Sequence, residues 1–155
     1  MTDYEITLEK FAPTYREMVG LYQKHYSEMC ERLESVGIKC SPYNPRLEQY
    51  AKASDEGWML LFIVRHKGVA CGHCNIYLTN DMHNNDLIAQ EDTIYIDKPH
   101  RGRGIGIHLI KTVHNELKSR GVKRLNITTG TDLKVAKLLE RMGYKHSAHA
   151  MTLTF

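Results

Sequence analysis

The chain has 155 residues, of which 42% are hydrophobic and 25% are charged. This length predicts one domain spanning 1–155, and the balance excludes a disordered chain, which would combine low hydrophobicity with high net charge. The net charge of +3 excludes a protein whose main task is to coat nucleic acid. No apolar run reaches the roughly 18 residues of a membrane span, and the chain starts without the apolar stretch of a secretory signal. We therefore expect a cytoplasmic protein that acts on neither nucleic acid nor membrane.

The first half of the chain predicts three strands and two helices. Its periodicity indicates a strand over Tyr4–Leu8, a helix over Thr14–Leu33 and a short helix over Arg46–Ser54. The continuous apolar run Trp58–Val64 predicts a buried central strand, and Val69–Leu78 predicts its partner after a turn.

The second half predicts strands that alternate with helices. A strand over Leu87–Ile96 precedes a helix over Gly106–Arg120, a strand over Arg124–Thr128 and a helix over Asp132–Met142. The alternating tail Ala148–Phe155 predicts a closing strand. The expected fold is α/β (α+β), with a mixed, mostly antiparallel central sheet of about six to seven strands flanked by about four helices.

The four cysteines are too few for a disulfide scaffold. Two of them form the spacing Cys71-Gly72-His73-Cys74, which by itself is half of a zinc site. On a strand, however, a step of three residues places Cys71 and Cys74 on opposite faces. We therefore interpret the cysteines as structural thiols and expect no metal.

The most informative segment is the glycine loop, Arg101-Gly102-Arg103-Gly104-Ile105-Gly106. It lies between an apolar strand and an amphipathic helix, and its alternate glycines allow positive φ angles and close approach of a ligand. Backbone N–H groups at a helix N-terminus form an anion-binding concavity, to which the arginines add charge. This arrangement favours a diphosphate. A solvated glycine-rich turn and an RNA-binding fragment are the alternatives.

The spacing Arg101-x-x-Gly104-x-Gly106, after an apolar strand and at the start of a helix, resembles the acyl-CoA loop of the GNAT superfamily of N-acetyltransferases. The predicted last helix, followed by Gly143-Tyr144, is similar to the second motif of that family. The segments Ser41–Leu47 and Asn75–Thr93 also resemble stand-alone members associated with bacteriophage genomes.

The resemblance implies that acetyl-CoA is the cofactor and CoA a product. The diphosphate would lie on the amides of the glycine loop, and the pantetheine arm would lie along a preceding strand that is usually bulged and splayed from its neighbour. The N–H of Ile96 would polarise the acyl carbonyl. The implied cofactor-binding residues are Ile94, Tyr95, Ile96, Arg101, Gly102, Arg103, Gly104, Ile105, Gly106 and Asp132.

The resemblance also implies that a primary amine, on a small molecule or a protein, attacks the thioester directly in a ternary complex. A base must take a proton from the amine, and the candidates are Glu91 and Asp92. In a regular strand they point to opposite faces, so only one would face the cleft. The alternative interpretation is that both are solvated residues.

One departure from the family pattern concerns the proton donor to the leaving thiolate. Many members have a Tyr where this chain has Leu139, which leaves Tyr95, Tyr144 or water as substitutes. The departure keeps a second function open, that of a non-catalytic acyl-CoA-binding regulator or inhibitor. Since members are often dimers, a homodimer is also considered. The tyrosines that would line the cleft or pack in the core are Tyr22, Tyr26, Tyr43 and Tyr50.

Overall fold

A computed structural model describes residues 3–130 and 133–155. These residues form five strands, four α-helices and one short 3₁₀ helix. In chain order they are β1 (Tyr4–Glu9), α1 (Phe11–Glu34), α2 (Leu47–Asp55), β2 (Met59–His66), β3 (Val69–Asn80), β4 (Leu87–Ile96), the 3₁₀ helix (Lys98–His100), α3 (Ile105–Ser119), β5 (Arg124–Asn126) and α4 (Leu133–Arg141).

The strands form one sheet in the order β1-β2-β3-β4-β5. The first four strands are antiparallel to their neighbours, and β5 is parallel to β4. The parallel pair follows from the chain path, because α3 carries the chain back across the sheet between β4 and β5. The predicted mixed, mostly antiparallel sheet with four flanking helices is therefore confirmed.

The apolar run in β2 is buried on both faces, as predicted, because helices cover both sides of the sheet. Alternate residues of β2 enter two core clusters. Leu60 and Phe62 pack on the side of α3, with Leu109 and Val113. On the other side, residues of α1 and α2 pack against a second set, which includes Met18, Ala53, Met59, Leu61 and Ile63.

The predicted strand count is not confirmed. The described residues contain five strands, and Ala148–Phe155 is exposed chain without strand pairing. Its apolar residues alternate as in a strand, yet Met151 and Leu153 are 93% and 77% exposed. Alternation predicts a strand only where a partner edge is available, and β5 offers just three paired residues.

The expectation that Cys71 and Cys74 lie on opposite faces is wrong. Val64 pairs with Gly72 and Arg65 pairs with Ala70, so Cys71 is an extra residue in a β-bulge. The bulge breaks the two-residue alternation and places both thiols in the core cluster on the α3 side. Burial raises the pKa of each thiol.

The described part of the chain has no group of three or more His, Cys, Asp or Glu side chains arranged to hold a metal ion. Within the same part, none of the helices combines the length and the apolar character needed to cross a membrane.

Candidate active site

A second β-bulge shapes the middle of β4. Ile76 of β3 pairs with Glu91, and the neighbouring Asn75 pairs with Thr93, so Asp92 is the extra residue. A bulge bends its strand and changes the direction of the side chains beside it. The bulge implied by the family resemblance is therefore present, and it lies at the two carboxylates that the sequence indicated.

Beyond this bulge, β4 has an open edge on the side of β5. The two strands pair only from Ile88 to Gln90 of β4, opposite Arg124 to Asn126. The segment Glu91–Ile96 therefore continues past the last paired residue of β5, and we call its free side the open edge of β4. The gap between diverging strands is where an extended ligand can add as a further strand.

The peptide groups along this edge are oriented for such pairing. The N–H of Asp97 donates to the carbonyl of Cys71 at 2.8 Å, while Ile96 lies opposite Gly72. In an antiparallel pair the peptide groups of alternate residues face the partner strand. Those of Ile94 and Ile96 consequently face the open edge, where the Ile96 carbonyl accepts a hydrogen bond from Arg101 Nε at 2.7 Å.

The glycine loop ends at an uncapped helix N-terminus. Gly102 and Gly104 both have a φ of 77°, a left-handed conformation that glycine adopts without strain. A Cβ placed on either residue would meet no atom within 4 Å, so the loop faces open space. Gly104 is the N-cap of α3, where no side chain caps the helix and no acidic residue occupies the first turn. Free N–H groups of this kind attract anions.

The cations in and beside the glycine loop differ in their contacts. The Arg101 guanidinium binds the Glu28 carboxylate of α1 at 2.8 and 3.0 Å and lies 5.2 Å from the centroid of the Tyr95 ring. Lys98 Nζ lies 3.8 Å from the same carboxylate. Arg103 is exposed and has no ion pair among the described residues. Arg103 is therefore the loop cation available to a ligand, whereas Arg101 joins the loop to α1.

Most of the predicted cofactor-binding residues lie on one path, and two do not. Ile94 and Ile96 present the open edge, and Gly102–Gly106 follow at the start of α3. Tyr95 points to the opposite face of β4, where its hydroxyl donates to Glu28 at 3.2 Å. Asp132 lies outside the described residues.

The two candidate carboxylates lie on different faces of the sheet. Glu91 lies at the gap between β4 and β5, where its Oε2 accepts the N–H of Thr128 at 3.3 Å. Asp92 faces α2, and its Oδ2 accepts the Tyr50 hydroxyl at 3.0 Å. Burial raises the pKa of Glu91 to about 7. Burial also raises the pKa of Asp92, although hydrogen bonds from Tyr50 and Asn75 oppose this change.

Asp92 lies in the wall of a cavity of about 630 Å³, which we call the aromatic pocket. The walls come from α1, α2, the segment Ser41–Arg46 and the pocket-facing side of β3 and β4. The four tyrosines that were expected to line a cleft or to pack in the core all border this pocket. Its aromatic rings are Phe11, Tyr22, Tyr26, Tyr43, Tyr50 and Tyr77.

Two buried polar atoms beside the pocket lack partners among the described residues, namely the Tyr22 hydroxyl and Asn75 Oδ1. Both side chains border the pocket, and both residues are more than nine-tenths buried. The Asn75 amide also donates a hydrogen bond to Asp92, which assigns its oxygen as the unpartnered atom. Buried polar groups are nearly always hydrogen-bonded, so these two atoms indicate a polar ligand or water.

Sequence analysis did not identify Asn75, Tyr77 or Glu28. Asn75 and Tyr77 lie on β3, opposite the part of β4 that contains the bulge. Their position beside Asp92 follows only from the register of the two strands, which the sequence does not give. Glu28 lies one helical turn after Lys24 on the same face of α1, and this spacing is the only signal the sequence offers.

The candidate proton donors are placed as follows. Leu139 is buried, with 4% of its surface exposed. The Tyr144 hydroxyl is 2.6 Å from His114 Nε2, and burial raises the pKa of Tyr144 to about 12. The Tyr95 side chain lies on the face of the sheet that α1 covers, away from the open edge. Tyr95, Tyr144 and water stay the candidate donors in place of the missing tyrosine of the second motif.

Comparison with solved structures places this geometry in a known fold. An aminoglycoside acetyltransferase from an uncultured soil metagenomic sample superimposes with a TM-score of 0.75 at 13% identity over 98% of both chains. A ribosomal-protein-alanine N-acetyltransferase from Brucella melitensis biovar Abortus 2308 gives 0.75 at 18% identity over 98% of this chain and 97% of the other.

A glucosamine-6-phosphate N-acetyltransferase from Arabidopsis thaliana gives a TM-score of 0.69 at 11% identity over 98% of both chains. At these identities the likeness shows the fold alone. No curated protein matches the chain in sequence.

The family model of the GNAT acetyltransferases matches residues 15–144, which include most of α1 and all of the bulged strand β4, the glycine loop and α4. This match covers most of the chain and includes both motifs on which the resemblance was based. The protein belongs to the acetyltransferase (GNAT) family.

Proposed function

We propose that the protein is an N-acetyltransferase that transfers the acetyl group of acetyl-CoA to a primary amine by direct attack in a ternary complex. The observation that carries this proposal is the position of the open edge of β4. The segment that carries this edge includes Asp92, in the wall of the aromatic pocket, and leads to the uncapped N-terminus of α3. One path therefore connects a pocket for an acceptor with a site for a diphosphate.

The residues present fit acetyl-CoA. The N–H groups at the start of α3 and the side chain of Arg103 would hold the diphosphate, since they have no protein partner among the described residues. The peptide groups of Ile94 and Ile96 would hold the pantetheine arm. Bound acetyl-CoA supplies an acetyl thioester, and the Ile96 N–H is the donor available to its carbonyl oxygen.

On the acceptor side, the amine must lose a proton, because an alkylammonium has a pKa of about 10. The amine nitrogen forms a bond to the acetyl carbon, the bond from that carbon to sulfur breaks, and CoA leaves as a thiolate. We assign the displaced proton to Asp92, directly or through water, because Asp92 lies in the pocket wall. Glu91, at the gap between β4 and β5, is the alternative base.

Departure of the thiolate needs little help from the protein. A thiol has a pKa of about 8.5, so its anion is a tolerable leaving group near neutral pH. Water can then protonate the product, and the burial of Leu139 does not by itself prevent turnover. Easy departure of the thiolate favours an enzyme over a non-catalytic acyl-CoA-binding regulator.

The first test of the proposal is ligand-induced stabilisation. Acetyl-CoA at about 100 times its Kd should stabilise the native state by about 2.7 kcal/mol and raise the Tm by about 5–10 °C. Gly104→Val should abolish this shift, because valine strains the positive φ and its side chain occupies the space in front of the loop. The control is Gly20→Ala on the exposed side of α1. An unchanged CoA affinity in the Gly104 variant contradicts the assignment of the loop.

The second test separates the two carboxylates by steady-state thiol release. Asp92→Asn should lower kcat by about 10²- to 10⁴-fold with little change in CoA affinity, as expected for loss of a general base. Glu91→Gln should have the smaller effect. The reverse order identifies Glu91 as the base. If the wild type binds acetyl-CoA but releases no thiol with any amine, the protein is a binder and not an enzyme.

A further inference from the structure

We infer that the acceptor is an amine with a single positive charge on an aromatic or apolar body. This inference rests on the proposed function and adds a substrate class to it. It follows from three features of the aromatic pocket: the composition of its walls, the number of charges that face it, and the placement of its unpartnered polar atoms.

The walls are rings held in fixed relative positions. Phe11 stacks on Tyr50 at 5.1 Å between ring centroids and on Tyr22 at 5.9 Å. On the other wall, Tyr26 and Tyr43 lie 5.5 Å apart. Ring faces attract a cation through their quadrupole and also provide apolar contact area for the rest of the ligand. The pocket thus suits an ammonium joined to a flat or apolar group.

The number of charges limits the ligand to one ammonium. Among the described residues that border the pocket, the only carboxylate is Asp92 and the only permanent cation is Arg46. Burial, assisted by the nearby Arg32, lowers the pKa of His25 to about 4, so this histidine is neutral at pH 7. The pocket phenols are also neutral, since burial raises the pKa of Tyr43 and of Tyr77 to about 12.

A second ammonium would find no carboxylate in the pocket. Ring faces would attract it less strongly than a carboxylate does, and the exposed Arg46 would repel it. Leaving a desolvated charge unpaired is costly, and a repulsive group of this kind discriminates against the wrong ligand. Polyamines and aminoglycosides, which carry several ammonium groups, are therefore disfavoured as acceptors.

The unpartnered polar atoms indicate where the single ammonium binds. Asn75 Oδ1 and the Tyr22 hydroxyl are acceptors, and Asn75 is hydrogen-bonded to Asp92. An ammonium has three donors and no acceptor, so a carboxylate, an amide oxygen and a phenol oxygen match it. This end of the pocket is next to the bulge of β4, where the open edge begins.

The experiment compares two matched pairs of amines by kcat/KM in the thiol-release assay. 2-Phenylethylamine and ethanolamine carry the same charge, but the first has an apolar phenyl ring where the second has a hydroxyl group. We expect kcat/KM for 2-phenylethylamine to be higher by at least about tenfold. Hexylamine and 1,6-diaminohexane share an alkyl chain and differ in one ammonium. We expect kcat/KM for hexylamine to be higher than that for 1,6-diaminohexane by at least about tenfold. Kanamycin should be the poorest acceptor of the panel.

Substitutions in the aromatic pocket then test whether its residues cause the preference among these amines. Tyr43→Leu should lower kcat/KM for 2-phenylethylamine by at least about fivefold, while Tyr43→Phe, which keeps the ring, should retain it. Arg46→Gln should narrow the ratio between hexylamine and 1,6-diaminohexane by about threefold or more. Asp55→Asn, at the exposed end of α2, removes a charge outside the pocket and should change neither ratio.

Calorimetric binding of the same amines to the protein saturated with CoA separates this inference from the proposed function. If 2-phenylethylamine binds more tightly than ethanolamine but no thiol is released, the inferred class of amine is supported as the ligand of the pocket, and the proposed enzymatic function is contradicted. If kanamycin or 1,6-diaminohexane is acetylated best, the function stands and the substrate class is overturned. If 2-phenylethylamine binds no better than ethanolamine, the class is overturned whether or not thiol is released.

Discussion

Glu91 and Asp92 are adjacent in the chain, yet the bulge of β4 gives them different surroundings. Asp92 shares the aromatic pocket with Tyr50, whereas Glu91 lies at the gap between β4 and β5 with one N–H donor, that of Thr128. One hydrogen bond compensates little of the cost of burying a carboxylate, which is why the pKa of Glu91 rises to about 7.

This raised pKa predicts how stability depends on pH. Because the pKa of Glu91 is about 7 in the folded chain and 4.5 in the unfolded chain, the folded state binds more protons between these values. The free energy of unfolding of the wild type should therefore fall, relative to Glu91→Gln, by on the order of 2 kcal/mol as the pH rises from 4.5 to 7. Urea unfolding of both proteins at several pH values measures this difference, and parallel pH profiles would contradict the assignment.

At the scale of elements, ion pairs connect α1 to the glycine loop and to the segment just before it. Glu28 binds Arg101, and Lys24 one turn earlier binds Asp97 at 2.7 Å. Burial opposes the ionisation of Glu28, but the hydrogen bond and charge of Arg101 leave its pKa below the ordinary value. The helix that borders the aromatic pocket is therefore also tied to the loop that is proposed to hold acetyl-CoA.

We predict that Glu28→Gln raises the KM for acetyl-CoA by about three- to tenfold and leaves kcat within about twofold, because a half-buried charge pair is lost outside the reacting atoms. Steady-state kinetics measures both constants. The matched control is Glu31→Gln, an exposed residue of the same helix. An equal effect in the control, or a fall in kcat at constant KM, would show that Glu28 does not position the loop.

Local patterns predicted most elements of this fold. The glycine loop was identified because positive φ and an uncapped helix start are properties of neighbouring residues. The bulge of β4 was expected from the family resemblance alone. Local patterns predict neither the bulge of β3 nor the shape of the pocket, because these depend on which residues of one strand face those of the next. The position of Asn75 in the site depends on its pairing with Thr93, which no local pattern predicts.

At the scale of the whole molecule, β2 connects the two core clusters. Its residues alternate between the side of α3 and the side of α1, so both faces of the sheet depend on the same strand. The aromatic pocket lies on the α1 side, whereas α3, whose N-terminus is the proposed phosphate site, packs on the other. A shared strand predicts that the two sides unfold together.

Substitutions in the two clusters test this coupling. Leu61 on the α1 side and Leu109 on the α3 side are both fully buried. Leu61→Ala and Leu109→Ala should each lower the free energy of unfolding by about 2–5 kcal/mol in a single urea transition with an unchanged m value. Unfolding followed by both tryptophan fluorescence and circular dichroism measures it. Separate transitions in either variant would show that the two faces are independent units.

The bulge in β4 determines what the deletion of one residue would do to the strand. On either side of it, Glu91 and Ile94 face the α3 side of the sheet, with Thr93 between them facing the other. If Asp92 were deleted, the strand would regain an uninterrupted alternation and keep every core side chain on its present side. Asp92 is thus not needed for the alternation of the strand. A chain that lost it would keep the sheet but would lack the carboxylate that we propose as the base.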